Sequence, residues 1–124
     1  VHLPYLWRYR LLRKLHAPYW RGNRRLLSAW ATAEGGSARF NPLNTTEPWP
    51  GATDYNSAGV KNYPSGADGI AATYRTLVNG YYPGIVRDLR AGRLTAAQIV
   101  TRNEAEFDKW GTGAKLILEV LARS

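Results

Sequence analysis

The residues able to do chemistry in this chain are few, and most familiar sites lack their parts. There is no cysteine, and the two histidines are His2 and His16. No GxSxG elbow, phosphate-cradling glycine loop or HExxH pattern occurs. Two histidines so far apart make neither a triad nor a metal site, so no metal and no cofactor is expected. His16 reads as a surface or helix-end residue. Carboxylates remain, and Glu34 is the most informative of them. It follows Trp30 by one helical turn and therefore shares that aromatic face. It also sits at the negative end of a helix dipole, and that position and partial burial both disfavour the charged form. A glutamate so treated can keep a proton near neutrality and act as a general acid. Arg39 nearby would pull the other way, and local evidence alone better fits a solvated glutamate at a fraying helix end.

The elements that must hold Glu34 follow from period and punctuation. Leu3, Trp7, Leu11 and Leu15 recur at helical spacing, predicting a basic N-terminal helix within residues 1–22 that ends before Pro18. Asn23 is a candidate cap for a second helix burying Leu26, Leu27, Trp30 and Ala31, stopped by Gly35-Gly36. From Ser37 to Asp68 prolines alternate with Asn, Thr, Gly and Tyr without helical period. So long a stretch predicts an ordered excursion, with irregular strands between Asp54 and Tyr63. Helices resume after Asp68, a candidate cap, with Ile70, Tyr74, Leu77 and Val78 in register and Asn79-Gly80 as the stop. Pro83 opens a helix carrying Ile85, Val86 and Leu89, and Thr95 with Gln98 forms a capping box. A short turn spans Asn103–Trp110, and a last helix from Gly113 is expected to bury Leu116, Ile117, Val120 and Leu121. The fold class expected is α+β, mostly α, in one domain covering residues 1–124.

Composition narrows the partners. The 44% hydrophobic and 21% charged content is that of an ordinary globule. No run approaches the ~20 apolar residues of a membrane span, and no signal peptide is visible. The lack of cysteine fits synthesis in a reducing cytoplasm. There is no methionine at all; a non-AUG start or excision from a longer polypeptide would each account for Val1. Seventeen basic residues face nine acidic ones, for a net charge of +8. Up to Ala33 there is no acid, while Arg8, Arg10, Arg13, Lys14, Arg21, Arg24 and Arg25 all lie there. Such a field attracts nucleic acid, anionic membranes or acidic wall polymers.

The blocks Trp30-Ala-Thr-Ala-Glu34-Gly-Gly-Ser37 and Phe40-Asn-Pro-Leu-Asn-Thr-Thr46 resemble the catalytic-glutamate region of lysozyme-like phage and bacterial wall hydrolases. The resemblance continues through Asp54-Tyr-Asn-Ser-Ala-Gly-Val-Lys-Asn-Tyr-Pro64, Gly69-Ile-Ala-Ala-Thr-Tyr-Arg-Thr-Leu77 and Asn79-Gly-Tyr-Tyr-Pro-Gly-Ile85. It covers about Ser28 to Arg90 and is similar to a domain of actinobacterial phage proteins, more distantly to soluble lytic transglycosylases. It implies a lysozyme-like fold whose small hairpin insert follows the glutamate helix. It implies Glu34 as the acid in cleaving the β-1,4 bond between N-acetylmuramic acid and N-acetylglucosamine of peptidoglycan. The site would be the bacterial cell wall, reached from the host cytoplasm as a free endolysin or with phage tail or virion proteins. Glycosidases usually pair two carboxyls; Asp54 is the candidate partner, Glu47 and Asp68 are rivals, and a mechanism with one glutamate is the alternative. Asn41, Asn44, Thr46, Tyr55, Asn56 and Tyr63 are candidate glycan contacts, since rings pack on sugar faces and amides satisfy hydroxyls. Asn41-Pro42 and Tyr63-Pro64 also suit turns, Tyr63 equally suits core packing, and Asp54 suits a turn residue. Two rival functions stand beside this one: an inactive lysozyme-like virion part, and a basic nucleic-acid-binding module using Tyr5, Trp7 and Tyr9.

Overall fold

One helix is covered from several sides, and the molecule is built around it. In the computed structural model, which describes residues 3–124, this is α2 (Arg21–Glu34), with Leu26, Leu27, Ala29, Trp30 and Ala31 all buried. His2 lies outside the described residues. Around α2 pack α1 (Trp7–Lys14), α5 (Ala96–Arg102) and α7 (Ala114–Arg123), while α3 (Gly66–Leu77) lies against α1. The helices α4 (Pro83–Ala91) and α6 (Glu104–Trp110) complete the shell. Between α2 and α3 lies one antiparallel pair, β1 (Thr53–Asp54) and β2 (Lys61–Asn62), with Thr53 opposite Asn62 and Asp54 opposite Lys61. The chain is thus α+β and mostly helical. No described helix is long and apolar enough to cross a membrane.

Several boundaries differ from the sequence expectation, each for a local reason. The first helix begins at Trp7 rather than Leu3, because Leu6 takes a left-handed backbone at φ 51°. Leu3 still packs on the core from outside the helix. Asn23 is not the cap of α2 but lies inside its first turn, fully buried. Its Nδ2 donates to the carbonyls of Pro18 (3.0 Å) and Leu89 (2.9 Å), tying the entry of α2 to α4. The cap of α3 is Ser65, whose hydroxyl accepts from the Asp68 N–H, so Asp68 stands three residues inside. The Thr95–Gln98 capping box is present in both directions. In α7 the buried line is Ala114 and Ile117, with Val120 and Leu121 half-buried. Leu116, about 100° round the helix from Ile117, is 40% exposed. Val78 is likewise exposed, standing past the end of α3.

The chain from Ala38 to Thr46 has no regular structure, yet four elements grip it. Asn41 Nδ2 donates to the carbonyls of Thr45 and of Lys61 in β2, and its Oδ1 accepts the Thr45 N–H. The Thr45 and Thr76 hydroxyls meet at 2.6 Å, joining it to α3. Trp110 Nε1, at the end of α6, donates to the Leu43 carbonyl at 2.7 Å. Asn44 binds the end of α2 through Glu34. At Gly69 a side chain would collide with the Phe40 carbonyl, so only glycine lets α3 come this close. This strap carries the hairpin on one side and the glutamate on the other.

Candidate active site

Glu34 is the last residue of α2, and Gly35 after it turns left-handed at φ 88°, ending the helix. Its carboxylate is partly buried against Trp30, which the core encloses completely. The Trp30 ring is locked edge-on to Phe107 and Trp110, each with centroids 4.9 Å away. Trp30 Nε1 donates to Glu34 Oε2 at 3.3 Å, and Asn44 Nδ2 donates to Oε1 at 3.3 Å. Both bonds are long for N–H to a carboxylate. The hydroxyl of Thr112, in the loop between α6 and α7, also bears on the carboxyl.

Burial raises the Glu34 pKa above the ordinary glutamate value of 4.5; the bonds from Thr112, Trp30 and Asn44 lower it but do not cancel the rise. All three donors are uncharged. The arrangement is that of a carboxyl able to hold a proton and then release it to a substrate oxygen.

The orientation of Asn44 is fixed by the same contacts. Its Nδ2 stands 2.6 Å from the Glu34 carbonyl, a distance two oxygens would not tolerate, so the amide nitrogen faces the glutamate. Its backbone is left-handed at φ 56°, a conformation asparagine accepts better than most residues. Asn44 therefore holds both the carbonyl and the carboxyl of Glu34.

The remaining predicted residues separate into scaffold and surface. Asn41 is fully buried with its amide committed to the strap, so its expected glycan contact is corrected to a scaffold role. Tyr63 is corrected likewise: it is 1% exposed, and its hydroxyl donates to the Glu47 carbonyl at 2.8 Å. Burial, with Glu47 nearby, pushes that phenol well above its ordinary range. Thr46 and Tyr55 are exposed, and Thr46 lies against the hairpin turn at Gly59. Asn56 is exposed, but its Oδ1 accepts the N–H groups of Ala58 and Val60 and so builds that turn.

Asp54 is exposed and forms an ion pair with Lys61 opposite it in the hairpin. The rivals are occupied too: Glu47 pairs with Arg75 at 3.7 Å, and Asp68 accepts from Trp49 Nε1 and the Ser65 hydroxyl. Among the described residues no group of three or more His, Asp and Glu side chains is placed to hold a metal ion. A cleft of about 390 Å³ opens between α1 and α2, lined by Leu3, Trp7, Ser28, Thr32 and Gly35 among others. It lies on a different face of α2 from the Trp30–Glu34 pair.

Sequence reasoning missed Thr112, which reaches Glu34 from 78 positions away. The only local signal was its flanking by Gly111 and Gly113, which mark a tight loop. Trp110 and Thr76, which anchor the strap, carried no signal beyond their place on helices. No family model, no curated protein and no solved structure matches the chain.

Proposed function

We propose that this chain is a lysozyme-like domain that cleaves bacterial peptidoglycan, with Glu34 as general acid. The reading rests on one observation: a half-buried carboxyl at the end of α2 is raised by burial and met only by neutral donors. The sequence resemblance around Glu34 and the hairpin supplies the substrate, the β-1,4 bond between N-acetylmuramic acid and N-acetylglucosamine. In the reaction Glu34 gives its proton to the glycosidic oxygen as the bond from that oxygen to the anomeric carbon breaks. The electron pair leaves with the oxygen, and a nucleophile's oxygen fills the anomeric position. Glu34, now a carboxylate, takes the nucleophile's proton and is restored.

The state of Asp54 favours a mechanism with one catalytic carboxyl. A second carboxylate is useful when its negative charge faces the developing sugar cation. Asp54 is exposed, and its charge is already matched by Lys61. Glu34 then serves as acid first and base second, activating either water or a hydroxyl of the sugar itself. The domain would act at the bacterial wall, free or carried by a phage particle.

Purified protein should clear a suspension of peptidoglycan, and Glu34→Gln should abolish clearing while leaving the circular dichroism spectrum unchanged. Clearing by the Gln variant at the wild-type rate would remove Glu34 from the reaction. Mass analysis of the released sugars separates the nucleophiles: reducing ends report water, and 1,6-anhydro ends report the sugar's own hydroxyl.

A further inference from the structure

The charge of this protein is not spread over it. Seven of the 17 basic residues precede Glu34, where there is no acid, leaving ten against nine for the rest of the chain. The four ion pairs among the described residues all use carboxylates from Glu47 onward, so the N-terminal cations have no carboxylate partner. The fold gathers part of this charge on one face, where α1 crosses the start of α2. There Tyr9 and Tyr19 meet edge to face with centroids 5.6 Å apart, each about two-fifths exposed. Arg13 Nη1 donates to the Tyr9 hydroxyl at 3.2 Å, and the Arg24 guanidinium lies 4.8 Å from the Tyr19 ring centre. Arg21 and Arg25 are exposed on the first turns of α2, with the Arg21 guanidinium 5.8 Å from the Trp20 ring centre.

We propose that this face binds a phosphodiester-bearing polyanion of the bacterial wall. The occupant follows from what the side chains still offer. A single-stranded nucleic acid is held largely by bases stacking on open ring faces. Here Arg24 stands over one face of Tyr19, and the two tyrosines meet edge to face, so few ring faces stay open for bases. Guanidinium donors remain, and these suit phosphate oxygens whatever the polymer carries between them. The face opens α2 at Arg21 whereas Glu34 ends it, roughly 20 Å apart at 1.5 Å per residue. A polymer held there would leave the acid free. The choice of a wall polymer rests on the wall-cleaving reading above; the charge and geometry do not.

The test uses the triple variant Arg13→Gln, Arg21→Gln, Arg24→Gln in a Glu34→Gln background, so that walls are not digested during binding. Co-sedimentation is measured across a salt series with wall sacculi, and with the same sacculi after acid removal of their phosphodiester polymers. The parent should bind intact sacculi at least about tenfold more tightly than stripped ones, with affinity falling log-linearly with salt. The triple variant should lose about tenfold or more and show a salt slope shallower by about two. The matching Lys variant, melting at the same temperature, should retain binding. With Glu34 restored, the Gln triple should cleave stripped glycan at the parental rate. Equal binding to intact and stripped sacculi, or salt-independent binding, overturns the proposal. Displacement by a single-stranded oligonucleotide at lower phosphate concentration than by the released wall polymer also overturns it, in favour of nucleic acid. If the wild type cleaves nothing yet salt-sensitive binding to intact sacculi persists, Glu34 fails as the acid and this surface stands.

Discussion

Glu34 and Asp88 are both carboxylates drawn out of water, and only Asp88 has charged donors that overcome the effect of burial. Asp88, in α4, is 2% exposed. Burial pushes it upward, yet the bonds from Arg87, Asn103 and Arg102 and the charge of Arg87 together hold it at about 2. Arg87 and Arg102 approach it at 3.0 and 3.1 Å, and Asn103 Nδ2 at 2.8 Å. At Glu34 burial raises the pKa, and the bonds from Thr112, Trp30 and Asn44, which bring no charge, lower it too little to cancel the rise. Burial pushes both carboxyls upward, and the charge of the donors decides whether that push is overcome. Asp88 joins α4 to the α5–α6 corner as a permanent anion. Glu34 is left able to change state, which a structural residue has no use for.

The largest test of that contrast is catalytic. General acids contribute about 10²- to 10⁴-fold, so Glu34→Gln should lower the rate by that factor, whereas Asp88→Asn should leave the activity per folded molecule unchanged. A comparable loss in both would erase the distinction. Next in size is stability. Removing one partner of a buried pair costs about 3–5 kcal/mol, but Arg87 and Arg102 have side chains 61% and 53% exposed and regain water. Asp88→Asn should therefore cost about 2–3 kcal/mol in urea unfolding, and a value near zero would make the cluster ornamental.

The two carboxyls should also pull stability in opposite directions with pH. The folded pKa of Asp88 is depressed, so its contribution is present above the ordinary aspartate value of 3.8 and is lost as pH falls through about 2. The folded pKa of Glu34 is raised, so its favourable contribution is full below 4.5 and disappears as pH rises through the folded value. Above the ordinary glutamate value of 4.5 the raised Glu34 pKa thus makes this carboxyl a burden on the fold. Glu34→Gln should melt higher than the wild type at pH 7, with the gain shrinking as pH falls toward about 4. A Gln variant that melts lower at pH 7 would contradict a carboxyl raised by burial.

What could be read from the chain and what could not divide along the same physical line. The helices α4 and α5 were legible because apolar period and end signals act locally: Pro83 opens α4, and Thr95 with Gln98 caps α5, whereas α6 was expected only as a short turn. Glu34 and its bond to Trp30 were legible for the same reason, being one helical turn apart. The hairpin, expected within Asp54–Tyr63 and found over residues 53–62, was legible nearly in place from its turn residues and β-formers. The strap was not. Its order comes from side-chain amides and hydroxyls reaching backbone or partners up to 67 positions away, as Trp110 does at Leu43. Such bonds leave no period, so Asn41 and Tyr63 looked as available for a sugar as Asn44. Burial tells them apart, and burial is a property of the assembled fold.

Asn44 offers the finest discrimination, because its first expected role and its observed one predict different kinetics. Asn44→Gly keeps the left-handed backbone without strain while deleting the N–H that meets both the Glu34 carbonyl and its Oε1. That N–H favours the carboxylate form, so its loss should move the Glu34 pKa further upward. The limb of the pH–rate profile on which activity falls with rising pH should shift to higher pH. A hydrogen bond of this kind is worth about 1 kcal/mol, so kcat should fall about fivefold, with KM little changed. If Asn44 instead holds the glycan, KM should rise and the limb should stay where it is. A profile that does not move, with unchanged kcat and a higher KM, would return Asn44 to the substrate and leave Trp30 and Thr112 as the donors that position the acid.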